Sequence, residues 1–234
     1  MKIGLIGDSL TEGRPGVSFV NILKEKYPNL SFDNLGKPGE TVKSLHNRLT
    51  KIKLETNYEL IFLWIGVNDV YSKLLRVQAQ PVAKSFEEFR EYYNKILEMV
   101  ISSSKQVVTV APALVGETLQ NESNKEITML SSIIQSLSKD HHVNVSFLDM
   151  HSIFGEHLLK ATSSDYVSIN VMRVMLDVLF YKHPTRIDRL SKKRGLHLTL
   201  DGIHLNSIGA GLVAEQYSTI IDQQLHNYQK SIQQ

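Results

Sequence analysis

Apolar residues in this chain fall into two alternating patterns. Short runs at residues 2–6, 31–35, 60–65, 106–111 and 143–148 have the length of strands, and the run at 60–65 (LIFLWI) is apolar throughout. A continuous run of that kind suits a strand covered on both faces. Between these runs lie stretches with helical spacing at 17–26, 41–51, 86–102, 123–139 and 207–225. In the first, Phe19, Val20 and Leu23 share one face, and in the second Val42, Leu45 and Leu49 do. Strands alternating with helices predict an α/β fold, a three-layer α/β/α arrangement around a mostly parallel sheet of about five strands. The stretch 155–198 breaks the alternation. It adds no obvious strand, carries an apolar helical pattern at 166–181, and ends in a basic segment at 182–194. It reads as an insertion or cap on a single domain spanning 1–234.

Length and composition leave this picture unchanged. The 234 residues are 42% apolar and 21% charged, with 26 basic and 24 acidic side chains and a net charge of +2. That is the profile of an ordinary globular protein and gives no reason to expect a nucleic-acid partner. The absence of cysteine removes disulfides, thiolate metal sites and a cysteine nucleophile. Gly7-Asp8 cuts short the apolar start at Ile3, so no secretory leader is seen, and no stretch nears the ~20 apolar residues of a membrane span. The expectation is a soluble, cytoplasmic chain without a stable membrane span.

Four short segments carry candidate chemistry. Gly7-Asp8-Ser9-Leu10 follows the first strand, and in a parallel sheet ligands bind beyond the carboxyl ends of strands. A plain helix cap is the alternative there, and the glycines that follow lack the Gly-Lys-Ser/Thr ending of a phosphate loop. Gly36 and Gly39, in NLGKPGET, follow the second strand. Gly66-Val67-Asn68-Asp69 follows the third, where Asn68 offers an amide donor. Asp201-Gly202-Ile203-His204 precedes the last helix, with the carboxylate placed to reach the imidazole. Each is weak alone, because turns favour the same residue types. Together they place a hydroxyl nucleophile, oxyanion donors, a base and its orienter on one rim, which is the set that acyl transfer needs.

At these residues the chain resembles the GDSL, or SGNH, hydrolases, a family of esterases and lipases. GDSL at 7–10, the glycine at 39, GVND at 66–69 and DGIHLN at 201–206 match the family's blocks in order. The resemblance implies a flavodoxin-like SGNH fold and hydrolysis of carboxylic esters, with acetyl esters or lysophospholipids as candidate substrates. It implies Ser9 as nucleophile, His204 as base and then acid, and Asp201 as its orienter. It implies an oxyanion hole of the Ser9 amide, the Gly39 amide and the Asn68 side chain, with Asp8 and Asp69 in the supporting loops. Gly36 is the alternative to Gly39, and Gly39 fits the family spacing better.

No metal or cofactor is called for: His141-His142 read as a helix end, and His151 and His157 lack zinc-motif spacing. The wide apolar pattern at 166–181 predicts a partner for that helix: an acyl chain beneath a cap, a second copy in a homodimer, or a membrane surface. Two other functions stand beside ester hydrolysis: acyl transfer to an alcohol or sugar, and non-catalytic ligand binding on the same fold.

Overall fold

The computed structural model describes residues 1–75, 80–141, 143–170 and 183–232. Five parallel strands, β1 (Lys2–Gly7), β2 (Ser31–Gly36), β3 (Tyr58–Trp64), β4 (Ser104–Val110) and β5 (Val145–Leu148), form one sheet in the order β2-β1-β3-β4-β5. This is the doubly wound, flavodoxin-like order. The connecting helices are α1 (Ser9–Glu12), α2 (Phe19–Lys26), α3 (Val42–Lys51), α4 (Val67–Tyr71), α5 (Phe86–Ile101), α6 (Glu122–Asp140), α7 (Met150–Leu158), α8 (Pro184–Lys193) and α9 (Ser207–Ile232).

Helices cover both faces of the sheet. On one, α2 packs on α9; on the other, α3, α5 and α6 follow in turn. β3 is the central strand and is buried from Leu60 to Trp64, so alternate side chains serve the two cores. Phe62 stacks on Tyr217 of α9 with centroids 3.9 Å apart, and Phe19 of α2 meets both Trp64 and Tyr217 edge-on. The helices begin where the sequence supplies caps. Ser18, Thr41, Ser85, Asn121 and Asp149 each accept a first-turn amide, a contact worth about 1 kcal/mol.

The register aligns the carboxyl ends of the strands. Gly7 pairs with Gly36 and Trp64, Trp64 with Val110, and Val110 with Leu148. The loops after β1, β2 and β3 therefore emerge side by side on one rim.

The chain after β5 departs from the expectation. The boundary drawn at residue 155 falls inside α7, which begins two residues after β5 ends. Residues 166–170, expected to open a helix, are not helical; Ser168 N–H donates instead to the Asp201 carbonyl at 2.9 Å. The rest of the expected helix, and with it the proposed dimer contact, lies outside the described residues. The basic run contains α8, whose buried face is Ile187 and Ser191. Among the described residues no helix is long and apolar enough to cross a membrane.

Candidate active site

β1 ends at Gly7, Asp8 caps α1, and Ser9 is that helix's first residue, so Ser9 sits just past the strand. Asp8 Oδ1 accepts Leu10 N–H at 2.9 Å, which fixes the turn. A β-carbon at Gly7 would collide with the Trp64 carbonyl and the Thr11 side chain. Glycine is what lets the turn fold this tightly against β3.

The loop before α9 brings the histidine to this turn. Thr199 and Leu205 form an antiparallel bridge, and Val17 N–H donates to the Leu205 carbonyl at 2.8 Å. His204 Nε2 lies 3.0 Å from Ser9 Oγ, and His204 Nδ1 lies 2.8 Å from Asp201 Oδ2. Asp201 Oδ1 accepts the backbone amides of His204 and Ile203 at 2.9 and 3.1 Å. All three side chains are buried. Burial pushes the Asp201 carboxyl up, but the His204 ring and the three hydrogen bonds outweigh it, and the group stays below the usual carboxylate value. Asp201 is thus an anion bonded to one ring nitrogen of an imidazole whose other nitrogen meets a serine hydroxyl.

A second group of donors lies in the segments that follow β2 and β3. Asn68, in α4, donates one amide hydrogen to the Glu40 carbonyl at 3.0 Å, and among the described residues the other has no acceptor. Gly39 adopts φ +71°, a conformation that favours glycine, and among the described residues its amide has no acceptor. The Gly36 amide donates to Asn34 Oδ1 at 3.0 Å. The 37–41 loop is clamped from below. Arg48 grips the buried Glu40 carboxylate through Nε and Nη2 at 2.7 and 2.6 Å, and Asp69 Oδ2 accepts Val42 N–H at 2.9 Å.

The family model described as GDSL-like lipase/acylhydrolase matches residues 3–217. The chain belongs to the GDSL-like lipase/acylhydrolase family. It is accordingly a carboxylic ester hydrolase. No match is found among curated proteins. Solved structures with this fold include AlAXEase, an acetyl xylan esterase, at 22% identity and TM-score 0.69, covering 94% of this chain and 100% of that one. Axe2, an acetylxylan esterase from Geobacillus stearothermophilus, matches at 18% identity and TM-score 0.60, covering 92% of this chain and 91% of its own. A possible lipase from Chitinophaga pinensis matches at 15% identity and TM-score 0.62, covering 95% and 98%. These likenesses carry the fold.

The GDSL-type hydrolase brings together the three side chains expected from its sequence, and sets Gly39 and Asn68 on the two neighbouring strand ends. Asp8 and Asp69 lie beneath them, fully buried. Burial pushes both carboxyls up to about 7, against the amides each accepts; the Glu40 charge adds to the rise at Asp8, and Asp8 adds to it at Asp69. His141 caps α6, and His151 and His157 lie on α7. Among the described residues no three histidine or carboxylate side chains converge to hold a metal ion.

Two features of the site escape a reading of motifs. One is the Glu40–Arg48 pair that supports the Gly39 loop. The other is Glu117, buried past the end of β4, which accepts from His197 N, Leu198 N, Thr199 N and Thr199 Oγ1 at 2.7 to 2.8 Å. A charged residue just beyond a buried strand on the catalytic rim is the only local signal for it.

Proposed function

We propose that this ester hydrolase works through an acyl-enzyme on Ser9. The observation that carries the reading is the hydrogen-bonded series Ser9–His204–Asp201, at 3.0 and 2.8 Å. Asp201 accepts a hydrogen bond from Nδ1–H, which holds the proton there and leaves the lone pair on Nε2. As Ser9 Oγ attacks the ester carbonyl, Nε2 takes its proton, and the carbonyl oxygen becomes an anion. The Ser9 amide, the Gly39 amide and the free hydrogen of the Asn68 side chain stabilise that anion. His204 then protonates the leaving alcohol. In the second half, His204 draws a proton from water, the hydroxide attacks the acyl carbonyl, and Ser9 Oγ leaves with the proton that His204 returns.

Alanine mutants of Axe2 at a serine, and at an aspartate and a histidine three positions apart, are described as catalytic mutants. Asp201 and His204 have the same separation. We assign acetyl esters of carbohydrates as the substrate class, in line with the acetyl xylan esterases of this fold. A panel of p-nitrophenyl esters from acetate upward, run beside acetylated sugars, tests it. The expected result is the highest kcat/KM on acetyl esters, with acetate released from acetylated sugars. Preference for long acyl chains, with acetylated sugars untouched, contradicts the substrate assignment.

A further inference from the structure

We infer that Glu117 is a positioning residue for ester hydrolysis, acting on Asp201 and His204 through the Thr199 hydroxyl. The inference rests on the Ser9–His204–Asp201 reading above and adds a residue that no motif contains.

Glu117 is almost wholly enclosed, and its two oxygens meet only hydrogen-bond donors among the described residues. Oε1 accepts Leu198 N–H, Thr199 N–H and the Thr199 hydroxyl, each at 2.8 Å; Oε2 accepts His197 N–H at 2.7 Å. Consecutive amides turned onto one carboxylate make an anion cradle in which the side chain plays the ligand's part. Glu117 therefore sets the path of residues 197–199, whose backbone would otherwise bury unpaired donors.

The next link runs through Thr199. Because its hydroxyl proton is committed to Glu117, its oxygen lone pairs are free to accept, and Gly202 N–H donates to Oγ1 at 3.1 Å. Gly202 lies between the two residues of the pair. Leu200 N–H closes on the His204 carbonyl, and Gly116 N–H, beside Glu117, holds the Gly202 carbonyl, at 2.6 and 2.7 Å. Thus the entry to the turn carrying Asp201 and His204, and its middle at Gly202, are both held by the loop that follows β4. Without Glu117 the Thr199 hydroxyl is free to rotate, and the Gly202 amide loses a fixed acceptor. The ring then shifts against Ser9, and misplacement by about 1 Å costs on the order of 10²-fold in rate.

The chemistry singles out a carboxylate. Four donors surround two oxygens, so an acceptor-only group satisfies all of them. Glutamine retains shape and one acceptor. With its oxygen toward Thr199 it keeps the hydroxyl link and sets its NH₂ against His197 N–H. It should rescue most of what alanine loses.

The test measures kcat and KM on p-nitrophenyl acetate for wild type, Glu117→Ala, Glu117→Gln and Thr199→Val. Each rate is divided by the concentration of active sites, counted by end-point titration with a fluorophosphonate. Melting temperatures are recorded alongside. The expected result is a fall of about 10²-fold in kcat per titrated site for Glu117→Ala. Thr199→Val should fall in the same direction, Glu117→Gln should lie between alanine and wild type, and KM should stay nearly constant. A lower melting temperature with kcat per titrated site unchanged would make Glu117 structural only and overturn the inference. If Glu117→Ala does not fold, Glu117→Gln and Thr199→Val decide by the same criterion. If wild type is catalytically active but takes up no probe at Ser9, the reading on which this inference rests fails first, whatever the variants show.

Discussion

Replacing Asp201 by asparagine asks whether the carboxylate works by fixing the histidine tautomer. Its Oδ1 accepts two backbone amides, at 2.9 and 3.1 Å, and its Oδ2 accepts His204 Nδ1–H at 2.8 Å. Asparagine has the same shape but only one acceptor oxygen. With that oxygen on the two amides, two bonds survive and the NH₂ faces Nδ1. The opposite orientation keeps one bond and sets the NH₂ against two buried N–H groups. Each orphaned buried donor costs about 1–3 kcal/mol, so the first orientation wins. The NH₂ then donates to Nδ1, and the ring proton moves to Nε2. Nε2 has no lone pair left for the Ser9 hydroxyl, although every heavy atom is in place. The expected loss is about 10⁴-fold in kcat, roughly 5–6 kcal/mol of barrier. Steady-state kinetics on p-nitrophenyl acetate measures the loss, and ¹⁵N NMR of the ring nitrogens reads the tautomer. A variant within tenfold of wild type would refute the reasoning. So would a large loss with the proton still on Nδ1.

Two further outcomes follow from the neighbouring groups. Asn68→Ala removes one oxyanion donor and should lower kcat by about 10²–10³-fold with KM nearly unchanged; a raised KM with kcat intact would make Asn68 a substrate-binding residue instead. Asp69, held near 7 by burial, binds its proton in the folded state at pH values where the unfolded group has lost it, so its contribution to stability falls from about pH 4 to about pH 7 and is level above. Asp69→Asn should make the melting temperature decline less steeply across that window, and an unaltered slope contradicts the assignment.

The sequence made β1, β3 and β4 legible because they are buried along most of their length and read as apolar runs. The edge strands β2 and β5 are partly exposed and show only through their short length between helical stretches. The four loop blocks could be placed on one rim for the same reason, since each follows a strand or precedes the last helix. Helices with a continuous apolar stripe were equally clear, to within a residue or two at their ends, except that the last runs past the expected end at residue 225 to Ile232. α8 was not, because its buried face is Ile187 and Ser191, and Ser191 anchors by hydrogen bonds to the Leu196 and Thr199 carbonyls. α7 was hidden by Gly155 near its middle, a residue that disfavours helix. At residues 166–170 apolar content suggested a helix, but the backbone pairs with the Asp201 loop, and the Ser168 carbonyl takes the Tyr71 hydroxyl. Glu117 and the Glu40–Arg48 pair show the other limit. Glu117 finds its partners some 80 residues away, so their positions have no local period to detect.

The central claim is that Ser9 and His204 act as one unit. The direct measurement is kcat for Ser9→Ala, His204→Ala and the double variant on one ester, with folding checked by circular dichroism. Each single variant should lose about 10⁴–10⁶-fold, and the double variant little more, because removing either partner already disables the pair. A folded Ser9→Ala protein with near-normal esterase activity would contradict the account.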